Sequence, residues 1–172
     1  AGGTLIDTSA VYGAGQAQPL LGKTLESSRV RGTFVLAARA GCVLRDGERV
    51  VDVSRSGLMA QLDATLTDLR TDYLDLWQLD RWDVSVPLDE TLSALAFAVQ
   101  SGRVRHVGLS NLSAWQTALV HAKFSSFNTG VSLVGSQSEY SLLNRKAEVE
   151  LVPALEQLSM GLIACAGLGR GV

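Results

Sequence analysis

Short apolar runs alternate with amphipathic segments along the chain. The β-prone runs predict six strands, at residues 4–6, 33–38, 74–79, 104–109, 132–137 and 162–165. Between them, apolar residues recur at helical spacing and predict helices at residues 18–28, 54–70, 87–102, 113–125 and 147–159. Strict alternation of strand and helix predicts a parallel sheet with helical crossovers.

Two segments carry more specific expectations. Residues 41–52 are polar and contain glycine, which predicts a loop. The helix at residues 147–159 is expected to turn Val149, Leu151, Leu155 and Leu158 inward.

Polar residues follow nearly every predicted strand, and their distribution decides between two α/β architectures. They are Asp7 with Tyr12, then Arg39, Asp80, Ser110 with Asn111, and Gln137. An open doubly wound sheet would place its site at one switch point, whereas a closed (β/α)8 barrel builds its site from many strand ends at one face. The pattern favours the barrel, so these side chains are expected to converge on one mouth.

Asp7 and Tyr12 allow two interpretations. A carboxylate at the end of a buried strand with a phenol on the next loop suits proton chemistry, provided that neighbours bring the phenol's pKa down from about 10. In the structural alternative, Asp7 caps a turn and Tyr12 is a half-buried loop aromatic.

Composition narrows the function classes. The chain has 172 residues, 47% of them hydrophobic and 19% charged, and a net charge of -2, which argues against nucleic acid or an anionic membrane as a partner. No apolar run approaches the roughly 20 residues that span a bilayer, and no metal site is predicted. Cys42 and Cys165 form no CxxC pair, and with no signal peptide recognised we expect a reduced, cytoplasmic protein.

Six segments in order resemble one known family. They are LIDTSAVYG (5–13), FVLAARAG (34–41), DLRTDYLDLWQLDRWD (68–83), SGRVRHVGLSN (101–111), QSEYSLLNR (137–145) and LGRGV (168–172). The chain is similar to the aldo-keto reductases nearly from end to end. The resemblance implies a TIM barrel that binds NADPH and reduces a small carbonyl substrate.

The resemblance also implies site residues. Of the family's catalytic Asp, Tyr, Lys and His, Asp7 and Tyr12 match the first two, while Arg39 stands in place of Lys and Asp80 in place of His. Cofactor binding is implied for four residues, which are Ser110, Asn111, Gln137 and Arg170. The aromatic residue that stacks on the nicotinamide is replaced by Cys165.

The two replacements alter the chemistry. Arg39 keeps the positive charge, but its planar fork does not replace a point charge. It is able to form a bidentate ion pair with Asp7 or Asp80 instead. An ionised Asp80 would raise the pKa of Tyr12 and repel a developing oxyanion, whereas a protonated Asp80 would donate a hydrogen bond.

Three functional hypotheses remain open: a working reductase with an unusual site, a cofactor-binding regulatory protein with little turnover, and a scaffold without cofactor. Residues 1–172 are expected to form a single partial barrel of about six β/α units, which are the family's strands two to seven. Further chain segments or a second copy would close such a barrel, whose open edges a parallel sheet rarely tolerates.

Overall fold

A computed structural model describes residues 2–127 and 129–171 of the chain. Its strands are β1 Leu5–Ser9, β2 Val35–Ala40, β3 Cys42–Arg45, β4 Glu48–Val51, β5 Leu74–Leu79, β6 Val104–Ser110, β7 Leu133–Glu139 and β8 Gly161–Cys165. Its α-helices are α1 Ala17–Ser28, α2 Arg55–Leu69, α3 Leu88–Gln100, α4 Ala114–Ser126 and α5 Leu151–Gln157. All six predicted strands and all five predicted helices are therefore present, with shifted ends.

The main sheet has six parallel strands in the order β1-β2-β5-β6-β7-β8. Neighbours in the sheet follow one another along the chain, with a helix in each crossover, which is the arrangement of a (β/α) barrel. The expectation of an incomplete (β/α)8 barrel with about six units is confirmed. Within the described residues, β1 and β8 are the outer strands of this sheet.

The apolar core lies between the helices and one face of the sheet. Fully buried leucines and Trp77 line this core. Two of the surrounding helices, α2 and α4, have a serine at the N-cap. The Ser54 hydroxyl accepts the Gly57 N–H, and Ser113 forms a capping box with Gln116. These caps position α2 and α4, whose buried side chains belong to the core that covers the sheet.

The other face of the sheet, called the inner face below, carries the alternate residues of each strand. Leu5 and Val35 on this face remain 47% and 45% exposed. The inner face is therefore partly apolar at the amino ends of the strands. Its polar residues lie at the carboxyl ends, where the candidate site is.

Residues 41–52 are not a loop, and that prediction is wrong. β3 and β4 pair as an antiparallel hairpin. Its turn residues, Asp46 and Gly47, both have positive φ, at 52° and 82°. Asp-Gly between short apolar runs favours such a two-residue turn, so the sequence contained this signal.

The predicted helix at residues 147–159 is broken. A single 3-10 turn, Lys146–Glu148, precedes α5, which begins only at Leu151. Pro153 lacks an N–H and tolerates only the first turn of a helix, so the helix cannot extend back through Val149. Val149 was expected inside and is 79% exposed, whereas Leu151 and Leu155 are buried as predicted.

No helix in the described ranges is long and apolar enough to cross a membrane.

Asp75 in β5 links three segments near the amino end of the sheet. Its carboxylate accepts the Leu36 N–H at 2.9 Å and pairs with Arg31 at 2.9 Å and Arg105 at 2.8 Å. Burial raises the pKa of Asp75, but the Leu36 hydrogen bond and the two guanidinium groups outweigh it, so the pKa is lowered. The ionised form therefore stabilises the fold.

We expect Asp75→Asn to lower the free energy of unfolding by about 1.5–3 kcal/mol at neutral pH, because it removes charge-assisted hydrogen bonds in a mostly buried position. The folded-state pKa is depressed, so this stabilisation is fully present above the unfolded-state pKa of about 4 and is lost as the pH falls through the folded value. Urea unfolding at a series of pH values, from neutral down through the folded-state pKa of Asp75, measures this loss of stability. Asp89→Asn, which breaks an exposed pair with Lys123, is the control and should cost less than about 1 kcal/mol. Equal losses in both variants would contradict the role given to Asp75.

Candidate active site

Adjacent parallel strands bring Asp7 and Arg39 together. Asp7 lies in β1 opposite Ala37 of β2, and Arg39 is two residues further along β2, on the same face. Asp80 follows β5 directly, and its N–H donates to the Ala40 carbonyl at 2.9 Å. Because the strands are parallel, their carboxyl ends meet at one edge of the sheet, as the sequence predicted.

Arg39 is the cation of the site. Its Nη2 donates to Asp7 Oδ2 at 2.7 Å, while its Nη1 lies 3.9 Å from Asp80 Oδ1. Its guanidinium carbon is 5.2 Å from the centre of the Tyr12 ring. Of the two ion pairs considered from the sequence, the structure forms the Asp7 pair directly, through a single hydrogen bond. The four candidate catalytic residues are thus brought together around one guanidinium group.

Asp80 is held by neutral donors. Its Oδ1 accepts the Ser110 hydroxyl at 2.8 Å and the Asn111 amide at 2.6 Å. Asn111 has a φ of 57°, a left-handed conformation that asparagine tolerates better than most residues. Asp80 is 7% exposed. Two residues expected to bind cofactor are therefore engaged by a carboxylate of the protein.

Gln137 and Gln78 complete the network around Asp7. Gln137 Nε2 donates to Asp7 Oδ2 at 3.2 Å, and Gln78 Nε2 donates to Asp7 Oδ1 at 3.3 Å. Gln78 is fully buried, and its Oε1 has no partner within the described residues.

Sequence reasoning missed Gln78. The available signal was an uncharged polar residue in the buried run LDLWQL, two positions before Asp80 and therefore on the same face of the strand.

Tyr12 begins a 3-10 turn after β1 and is half-buried. Burial is the largest influence on its pKa and raises it, and the Arg39 guanidinium lowers it. The carboxylates of Asp7 and Asp80, and then Cys165, raise the pKa again. The sum is a raised pKa, so Arg39 does not depress the phenol below its ordinary value in this structure.

Arg39 itself remains firmly protonated. Burial lowers the pKa of its guanidinium, but the hydrogen bond from Arg39 to Asp7 and the nearby negative charges raise it above the ordinary value. The site thus holds one permanent cation.

Arg170 lies apart from this network. Its Nη2 pairs with Glu139 Oε2 at 2.6 Å, at the end of β7, where Arg170 is exposed and Glu139 is partly exposed. The described part of the chain contains no group of three His, Cys, Asp or Glu residues able to hold a metal ion.

The sequence model described as "Aldo/keto reductase family" matches residues 1–172 of the chain. The aldo-keto reductase YhdN of Bacillus subtilis (strain 168) is 28% identical over 169 residues, which are 98% of this chain and 49% of that protein.

Two solved structures share the fold. The thermostable aldo-keto reductase Tm1743, in complex with the inhibitor epalrestat, superimposes with a TM-score of 0.82 at 28% identity, over 97% of this chain and 56% of that one. An aldo/keto reductase from Klebsiella pneumoniae, in complex with NADP and acetate, has a TM-score of 0.79 at 26% identity, over 97% of this chain and 54% of that one. The chain thus spans about half the length of these relatives.

The charges around Tyr12 give opposite expectations for two variants. We expect Arg39→Gln to raise the pKa of Tyr12 further, because the nearest cation is lost, and Asp80→Asn to lower it, because an anion is lost. NMR titration with isotope-labelled tyrosine, assigned by means of Tyr12→Phe, measures both shifts. Arg39→Lys keeps the charge and serves as the control. Shifts of the same sign in the Gln and Asn variants would contradict the arrangement.

Proposed function

The chain belongs to the aldo/keto reductase family, and on that premise we propose that it serves the NADPH-dependent reduction of a small carbonyl compound. The observation that carries the proposal is the convergence of Tyr12, Arg39 and Asp7 at one edge of the sheet. A phenol beside a cation that is itself held by a carboxylate is an arrangement suited to protonating an oxygen anion.

The donor set of the site fits the nicotinamide carboxamide. The Ser110 hydroxyl and the Asn111 amide, which donate to Asp80 in the structure, would donate to its oxygen instead, and the Gln137 side-chain carbonyl would accept from its amide. We also assign the exposed guanidinium of Arg170 to cofactor binding, where it would meet a phosphate. Klebsiella pneumoniae relatives in complex with NADP and with NADPH support this choice of cofactor.

Each residue of the site then has a role in the reaction. NADPH would supply the hydride when bound, and the Tyr12 hydroxyl would give its proton to the carbonyl oxygen. The Arg39 charge stabilises the tyrosinate that forms, and Asp7 holds the Arg39 side chain in place. Asp80 holds Ser110 and Asn111 through their hydrogen bonds until the carboxamide replaces it as their acceptor. A raised pKa keeps Tyr12 protonated at neutral pH but makes it a weaker acid.

A second candidate function is cofactor binding with little turnover. Two observations favour it: the pKa of Tyr12 is raised, and the Asp80 carboxylate lies where it would oppose a developing oxyanion. In this case the protein would respond to the cofactor rather than consume it.

Two further proposals concern the setting of the protein. One apolar core runs through the described helices and the main sheet, which supports treating residues 1–172 as one domain. Cys42 and Cys165 are both free thiols, which supports the cytoplasm as the location.

We expect Tyr12→Phe to lower kcat by at least about a hundredfold, because it removes the proton donor, with little change in the dissociation constant of NADPH. Stopped-flow and steady-state assays with small aldehydes, together with quenching of tryptophan fluorescence by NADPH, measure the two quantities. Tyr140→Phe is the control, since the Tyr140 hydroxyl bonds Glu148. Absence of NADPH binding by the purified protein would refute the proposed function.

Restoring the family's residues separates the two candidates. A reductase adapted to its own site should lose activity in the double variant Arg39→Lys/Asp80→His, because the Arg39–Asp7 and Asp80–Ser110 contacts are broken. A binding protein with little turnover should instead gain at least about tenfold in kcat/KM, because a neutral donor replaces the opposing carboxylate. Steady-state kinetics with the same aldehydes distinguishes these results.

A further inference from the structure

Asp80 carries the less compensated charge of the site. Arg39 forms its direct hydrogen bond with Asp7, at 2.7 Å, and reaches Asp80 only at 3.9 Å. The short contacts of Asp80 come from a hydroxyl and an amide, which are neutral. Two carboxylates therefore share one guanidinium, and the remaining negative charge lies mainly on Asp80.

The following inference rests on the proposed function, in which a nicotinamide cofactor binds at this site. Ser110 and Asn111, which would hold the nicotinamide carboxamide, are the residues that Asp80 contacts. A bound nicotinamide would thus lie beside the Asp80 carboxylate. Its ring is positively charged in NADP⁺ and neutral in NADPH.

We infer that Asp80 is a specificity-determining residue that makes the site bind the oxidised cofactor, NADP⁺, more tightly than NADPH. A mostly buried carboxylate that lacks a full counter-charge is stabilised by a cation placed next to it. Only the oxidised ring supplies one. Asp80 thereby biases the protein toward the oxidised state of its cofactor.

The comparison of the two cofactor forms isolates this effect. Both carry the same carboxamide, so any cost of withdrawing Ser110, Asn111 and Gln137 from their present partners applies to both forms. That cost cancels in the ratio of the two dissociation constants. The ratio therefore reports the charge beside the ring.

The buried polar atoms of the site agree with a ligand at this position. Gln78 Oε1 and Arg39 Nε are buried and have no hydrogen-bond partner within the described residues. Gln78 is fully buried, and its amide lies within reach of both Asp7 and Gln137. Buried polar groups without a hydrogen-bond partner are uncommon in native proteins, and each calls for an explanation.

The test is the ratio of dissociation constants, Kd(NADPH)/Kd(NADP⁺), in the wild-type protein and in Asp80→Asn. Asparagine keeps the shape and an acceptor oxygen for Ser110 and Asn111 but removes the charge. We expect the ratio to fall by about tenfold or more in Asp80→Asn, since a nearby charge pair of low exposure is worth at least that factor. Isothermal titration calorimetry measures both constants without turnover, and circular dichroism verifies that the variant folds.

Asp83→Asn is the matched control. Asp83 lies three residues further along the same loop, but it is more exposed and its carboxylate bonds Ser85. Its neutralisation should leave the ratio unchanged, because solvent screens its charge.

Three outcomes are distinguishable. A lower ratio in Asp80→Asn alone supports the inference. Binding of both cofactor forms with the same ratio in all three proteins overturns the inference and leaves the proposed function standing. Failure of the wild-type protein to bind either form overturns both.

Discussion

The ion pair between Arg39 and Asp7 is the contact on which the site depends. It joins the side chains of two neighbouring strands and holds the guanidinium beside Tyr12. The amides of Gln78 and Gln137 reach the same Asp7 carboxylate from two other strands. A single partly buried carboxylate therefore connects four strands of the sheet, and its loss would leave Arg39 with only the more distant carboxylate of Asp80.

This network is built on the face of the sheet that the helices do not cover. The opposite face of the sheet has apolar side chains that pack against the helices, and this packing fixes the register of the strands. The register in turn sets which polar side chains meet on the inner face, because residues two apart on a strand share a face. The stability of the fold and the geometry of the site thus come from opposite faces of the same strands.

The site holds one cation and two carboxylates. Arg39 supplies the cation, and Asp80 places an anion close to the candidate cofactor-binding residues. The phenol of Tyr12 experiences both, and burial together with the two carboxylates outweighs the guanidinium. The electrostatics of this site differ accordingly from those of a site with one carboxylate and one cation.

The sequence alone determined the alternation of strands and helices, the resemblance to one family, and the meeting of Asp7, Tyr12, Arg39 and Asp80. The alternation of strands and helices follows from hydrophobic periodicity. The four side chains meet because the carboxyl ends of parallel strands share one edge. It also contained the Asp46-Gly47 turn and the Pro153 break, although the polar composition of the hairpin and the leucine spacing of the helix concealed them. Only the tertiary structure decided that Arg39 bonds Asp7 while Asp80 bonds Ser110 and Asn111, and that Gln78 belongs to the site. Hydrogen bonds depend on differences of a few tenths of an ångström, and the pKa of Tyr12 is a balance of opposing influences, so both require the packed arrangement of the strands.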